Sequence, residues 1–108
     1  MPATRAALAR VQAQAAAREI RITLHGQDEM LDESIALQEV LDAIEVGQIL
    51  EDYPDHRRGP CCLVHGITRA GRQLHVVCTT AQPVLVIITV YEPKPPKWVT
   101  PTQRRPRT

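Results

Sequence analysis

Residues 60–91, GPCCLVHGITRAGRQLHVVCTTAQPVLVIITVY, constrain the fold more than any other stretch of this chain. They divide into three apolar runs parted by two short polar connections. Cys61 to Ile67 is apolar and follows Gly59-Pro60. Arg72 to Thr79 alternates, with Leu74, Val76 and Cys78 on one face and His75, Val77 and Thr79 on the other. Val84 to Tyr91 is almost wholly apolar and β-branched, as expected of a central strand buried on both faces. Thr68 to Gly71 and Thr80 to Pro83 are short enough for hairpins, and Gly71 can supply a positive φ. The pattern predicts an antiparallel meander that the rest of the chain must cover or use as a platform.

A chain of 108 residues has room for one domain with one modest core. Phe is absent, so Ile, Val and Leu must build that core. No apolar run approaches the roughly 18 residues of a membrane span. Gln12, Gln14, Arg18 and Glu19 interrupt any secretory h-region. Three cysteines, two of them adjacent (Cys61 and Cys62), do not make a disulfide framework and suit a reducing cytoplasm. Without a CxxC pair or an H-x₃-H spacing, neither a metal site nor a cofactor is expected.

Charge is segregated along the chain. Asp28 to Asp55 holds ten acidic residues and no Lys or Arg, whereas Arg57 to the end holds nine basic residues and one acid, Glu92. Kept on separate faces, these segments would give a basic sheet-and-tail surface; paired with each other, they would cancel.

Residues 3–18 are alanine-rich and helical in propensity, with a thin apolar side of Leu8 and Val11, which predicts a poorly anchored helix. Glu19 to Leu24 alternates as a half-buried strand, and a short helix is expected over Gln27 to Asp32. Ile35, Leu37, Val40, Leu41 and Ile44 form an amphipathic stripe, with Ser34 as N-cap and Gly47 as a left-handed C-cap. Gln48 to Tyr53 reads as a further strand. Beyond Tyr91, five prolines in EPKPPKWVTPTQRRPRT exclude regular structure, with Trp98 the one residue able to pin this tail to the domain. The expected organisation is an N-terminal helical extension (1–18), an α+β domain (19–100) and a basic disordered tail (101–108). In that domain two helices cover one face of an antiparallel sheet of four to five strands.

RITLH (21–25), GQILEDYP (47–54), GPCCLVHG (59–66), GRQLHVVC (71–78) and IITVYEP followed by KW (87–98) together resemble the bacterial family catalogued as domain of unknown function 4258. Members of that family are similar to RelE/ParE-type toxins. The resemblance implies a RelE-like fold and the toxin half of a type II toxin–antitoxin pair, beside a zinc-finger-type antitoxin. It also implies an endoribonuclease of the mRNA interferase kind that meets RNA or the ribosome. One departure stands out: family members carry arginines where Glu29, Met30, Glu33 and Ser34 stand here, and Ala36 replaces the serine of a Ser-x-x-Glu capping box whose Glu39 remains.

Metal-free RNA cleavage needs a base for the 2′-OH, a cation for the phosphorane and an acid for the leaving 5′-oxygen. His75, Tyr91, His25 and Arg72 are the catalytic candidates, and Arg69, Lys97, Arg104 and Arg105 the RNA-binding ones. A histidine between Leu74 and Val76 equally suits a place under the helices, hydrogen-bonded to backbone, and His25 a helix-capping role. Two function classes therefore stay open: an RNA-binding endoribonuclease, and a non-catalytic protein-interaction module on the same fold. Homo-oligomers fit either class. Convergence of His75, Tyr91 and Arg72 on one exposed surface would favour the enzyme.

Overall fold

The computed structural model describes residues 2–106. The elements in chain order are α1 (Pro2–Ala16), β1 (Ile20–Ile22), α2 (Leu24–Asp32), α3 (Leu37–Glu45), β2 (Gln48–Tyr53), β3 (Cys61–Ile67), β4 (Gln73–Thr79), β5 (Leu85–Tyr91), β6 (Trp98–Thr100) and β7 (Gln103–Arg104). No described helix is long and apolar enough to cross a membrane.

The meander is present as β2–β3–β4–β5, every neighbour antiparallel. The complete sheet is mixed, however, in the order β1-β5-β4-β3-β2. The expectation of an antiparallel sheet fails at β1, which lies parallel to β5 with Ile20 opposite Leu85. Helices α2 and α3 carry the chain from one edge to the other, and three reversals from β2 to β5 bring the last strand back running with the first. Gly71 adopts φ 87° in the β3–β4 hairpin, as its position predicts. In β5 only Leu85, Ile87 and Val90 are buried, so this strand is covered fully on the helix side alone.

Alternation along β3 and β4 decides which face is apolar. Cys62, Val64, Leu74, Val76 and Cys78 join Leu85, Ile87 and Val90 in one cluster with Ile35, Val40, Leu41, Ala43 and Ile44. Helix α3 lies so close to β3 that a Cβ at Gly66 would overlap the Ala43 carbonyl. Only glycine allows that approach.

Helix α1 is firmly docked, contrary to the expectation from its thin apolar side. Val11 is fully buried and Ala15 nearly so, both within the core cluster. Polar anchors add to them. The Gln12 amide donates to the Ile44 and Glu45 carbonyls at the end of α3, where Ile44 also accepts the Gly47 N–H. Gln14 donates to Gln82 and Pro83, and Arg10 to Gln82.

Helix α2 starts earlier than expected because Thr23 caps it, its hydroxyl accepting the Gly26 N–H. This ends β1 at Ile22 and turns Leu24 outward. Beyond β1 the edge of β5 lacks a strand neighbour, and α2 replaces one with side chains. Thr23 donates to the Ile88 carbonyl, Glu29 accepts the Val90 N–H, and Glu33 accepts the Glu92 N–H. The Glu29 and Glu33 carboxylates thus close a sheet edge.

Helix α3 begins after Ala36 rather than Ser34, which sits at φ 54° in the turn before it. Glu39 still accepts the Ala36 N–H, half of a capping box. Gly47 does not take the left-handed conformation; its place against Val64 and the Ala43 carbonyl is one of close packing.

Candidate functional site

The second sheet face carries the odd-numbered residues of β4 and sets polar side chains beside the buried Cys61 and Leu63. His75 lies opposite His65 on β3 and opposite Tyr91 on β5. Glu51 and Tyr53 on β2 pair with Leu63 and Cys61 of β3. No described helix covers this face. The C-terminal segment does: residues expected to be a disordered tail fold back as the β6–β7 hairpin, with Trp98 opposite Arg104.

His75 has no solvent exposure, and the tail rather than the helices buries it. Its ring meets Trp98 edge-to-face, with centroids 4.3 Å apart at 90°. Nε2 bonds the Pro101 carbonyl and Nδ1 the Tyr91 hydroxyl, the latter at 3.1 Å. A carbonyl only accepts, so the proton sits on Nε2 and Nδ1 accepts from Tyr91. Burial pushes the His75 pKa below its ordinary value against the opposing pull of the Pro101 carbonyl, while His65 and Arg104 lower it and Glu51 raises it. Burial also pushes the Tyr91 hydroxyl up. His65 donates from Nε2 to Gln73 Oε1, its ring 5.8 Å from that of His75. At neutral pH this is an uncharged imidazole with a protonated phenol bound to it.

Arg104 closes the arrangement. Its guanidinium forks onto both oxygens of Glu51, with Nη2 to Oε1 at 2.8 Å, and lies 4.8 Å above the Trp98 ring. Tyr53 donates to the same carboxylate. The hydrogen bond from Arg104, outweighing burial, holds Glu51 at about 2. Burial and Glu51 push Tyr53 up to about 12. Lys97 and Arg105 are exposed beside this latch, and with Pro96, Arg104 and Pro106 they line an open cavity of about 380 Å³.

Two catalytic candidates therefore meet, His75 and Tyr91, and two do not. Arg72 leaves β4 toward the helices, where it bridges Glu39 and Glu92 and donates to the Glu33 and Ser34 carbonyls. It ties the α2–α3 turn, the start of α3 and the end of β5 together, and it is a structural tie. His25 stands on the exposed side of α2, 3.3 Å from Glu29, outside the His75 network. Its expected capping role belongs to Thr23. Of the RNA-binding candidates, Lys97, Arg104 and Arg105 share the tail. Arg69 sits apart, 3.6 Å from Asp42, at a groove of about 470 Å³ between α1 and α3. The acidic and basic halves of the sequence thus meet at three arginines, Arg69, Arg72 and Arg104.

Sequence reasoning missed Glu51, Tyr53 and His65 as parts of this face. Alternation could have found them, since each shares the side of its strand that faces away from the core. Among the described residues no three His, Cys, Asp or Glu side chains are placed to hold a metal ion. The cysteines are buried and free, and a hydrogen bond with Cys62 followed by burial raises Cys78 well above the ordinary thiol value, which leaves it unreactive.

Compared with known proteins, the chain matches the family described as a domain of unknown function (DUF4258) over residues 22–92. No curated protein and no solved structure matches it.

Proposed function

The chain belongs to the DUF4258 family, and from that premise and the site geometry we propose that it binds RNA on the tail-bearing sheet face and cleaves it with His75 and Tyr91. The observation that carries this reading is the His75–Tyr91 pair on a sheet face rimmed by Lys97, Arg104 and Arg105. Neutral His75 is the base that takes the 2′-OH proton, and Tyr91, its phenol protonated, is the acid for the 5′-oxygen. Arg104, on the same face, is the cation that meets a phosphate of the bound strand. No metal is assigned a role. The fold reading that goes with this function is the RelE/ParE-like toxin group, and the partner it calls for is an antitoxin segment lying over the basic tail.

The test is incubation of purified protein with short single-stranded RNA, with and without EDTA, beside His75→Ala and His75→Gln. RNA cleavage that survives EDTA and is lost in both variants is expected. Binding should weaken with salt, at a logarithmic slope of about −2 for three phosphate contacts on a single strand. RNA neither bound nor cut would overturn the proposal.

The burial of His75 and the placement of Arg72 away from it, in place of convergence on one exposed surface, favour the non-catalytic alternative, and one further observation does too. Leu24 and Leu31, two turns apart on α2, are each 78% exposed, and Asp28 and Asp32 stand exposed among them. An apolar patch set in acidic residues suits a basic amphipathic protein segment. Co-purification of such a partner by wild type, but not by Leu24→Ser/Leu31→Ser, would support that reading.

A further inference from the structure

Among the described residues, hydrogen bonds fasten residues 93–106 to the main sheet at two side chains, with the exposed Lys94–Glu92 ion pair at the root of the segment. The β6–β7 hairpin forms its own two-stranded sheet, separate from the five-stranded one. Its backbone bonds run within it, from Trp98 N–H to Lys94 and from Arg105 N–H to Lys97. Among the described residues three hydrogen bonds join it to the main sheet, and all end on two side chains, Glu51 and His75. The closed arrangement also leaves the buried Trp98 Nε1–H without a well-formed hydrogen bond, the Tyr91 hydroxyl being the acceptor it approaches. A donor left in this state costs up to about 1–3 kcal/mol, which exposure to water returns. A cover held by so few bonds, one of its donors poorly satisfied, is poised to open.

The latch also indicates what opens it. Glu51 presents two anionic oxygens to the Arg104 fork, in the arrangement that a phosphate offers equally well. Lys97 and Arg105 stand exposed beside that fork. We propose that residues 93–106 are a strap latched by Glu51 through Arg104, and that a phosphate of a bound RNA strand exchanges for Glu51, lifting the strap and uncovering His75. This inference rests on the RNA-binding reading and adds its regulation. The closed conformation shields the reactive pair from water, and the ligand that needs the pair removes the shield.

Trp98 is the only tryptophan, so its fluorescence reports the strap directly. The experiment compares acrylamide quenching of full-length wild type and Glu51→Gln, each with and without a short oligouridylate. Wild-type Trp98 should be shielded alone and quenched when RNA is added. Glu51→Gln should raise the quenching constant about threefold without RNA and tighten RNA binding by a similar factor, because the closed state no longer competes. Hydrogen exchange of the wild type serves as the control on folding. The Trp98 and Arg105 amides should exchange well ahead of those in β3 and β4. Unchanged quenching in Glu51→Gln, or strap amides as slow as those of β3, would overturn the strap. RNA bound while Trp98 stays shielded would overturn the exchange. An exposed Trp98 in Glu51→Gln with RNA bound by neither protein would leave the strap standing and overturn the RNA reading instead.

Discussion

Leu74 and His75 are neighbours on β4, and neither has any solvent exposure, yet different things bury them. Leu74 faces α3 within a continuous aliphatic cluster whose members come from helices and strands throughout the chain. His75 faces a short hairpin that touches it through one tryptophan ring and one carbonyl. The helix face is closed by many apolar contacts, none decisive alone, so it can open only as the whole domain unfolds. The tail face is closed by an ion pair, an imidazole and a tryptophan, and it can open while the domain stays folded. Two equally buried residues thus report two different stabilities.

The largest test of this contrast replaces one anchor on each face. Leu74→Ala should destabilise the protein by about 2–5 kcal/mol, the usual range for a buried leucine in a packed core. A tryptophan in such a core would cost about 3–5 kcal/mol on truncation. Trp98→Ala should cost less than Leu74→Ala, despite the greater volume removed. Its loss is capped by the free energy that closes the strap, because the open form with an intact sheet is always accessible. Urea denaturation followed by far-ultraviolet circular dichroism measures both. A Trp98→Ala cost equal to or above that of Leu74→Ala would merge the two faces into one core and remove the contrast.

How far the sequence revealed these faces depends on how local the signals were. Alternation in β4 separated Leu74, Val76 and Cys78 from His75, Val77 and Thr79, because the strand period is a property of the backbone alone. The β3–β4 hairpin was equally legible from Gly71. The parallel placement of β1 was not, since it follows from where the helical crossover delivers the chain and no residue of Ile20–Ile22 encodes it. The docking of α1 was hidden because Gln12 and Gln14 anchor it, and polar residues leave no hydrophobic stripe. His75 and Tyr91 were found as a pair, but their cover was not. Proline rules out ladders of any length, yet a two-residue strand such as Gln103–Arg104 survives it. The ties of Arg72 were not legible because its partners, Glu39 and Glu92, are distant in sequence.

A smaller effect should follow from replacing a carboxylate of α2 with arginine. Glu29 accepts the Val90 N–H at the edge of β5. Glu29→Arg removes that acceptor and leaves the amide for water or for nothing, a loss of about 1–2 kcal/mol. If this carboxylate is structural, as its contact indicates, the substitution lowers the denaturation midpoint and leaves RNA affinity at moderate salt unchanged. A variant that keeps full stability while binding RNA more tightly would show instead that α2 belongs to the RNA surface, and the functional face would then extend past the tail.

The smallest effect, and the one most specific to the tail face, is its response to pH. His75 is neutral under the strap, and burial holds its pKa below the ordinary histidine value of about 6.5. A group depressed in the closed form and normal in the open one favours closure fully above that ordinary value. As pH falls below about 6.5, the open form takes up a proton that the closed form resists, and closure weakens. The charged and titratable groups around the ring are His65 from β3, Glu51 and Tyr53 from β2, Tyr91 from β5 and Arg104 from β7. Glu51, held at about 2 by Arg104, keeps its charge in the closed form and acts only in a second, more acidic window, below the ordinary carboxyl value of 4.5. Tyr53 and Tyr91 are raised and stay protonated throughout. Acrylamide quenching of Trp98 should therefore rise as pH falls from 7 toward 5, while circular dichroism of the sheet stays constant. His75→Asn should flatten that rise and keep the more acidic one, and His65→Gln separates the contribution of the neighbouring ring. Quenching that stays flat from pH 7 to 5 in the wild type would mean that His75 carries no share of the closure, leaving Glu51 and Trp98 to hold the strap alone.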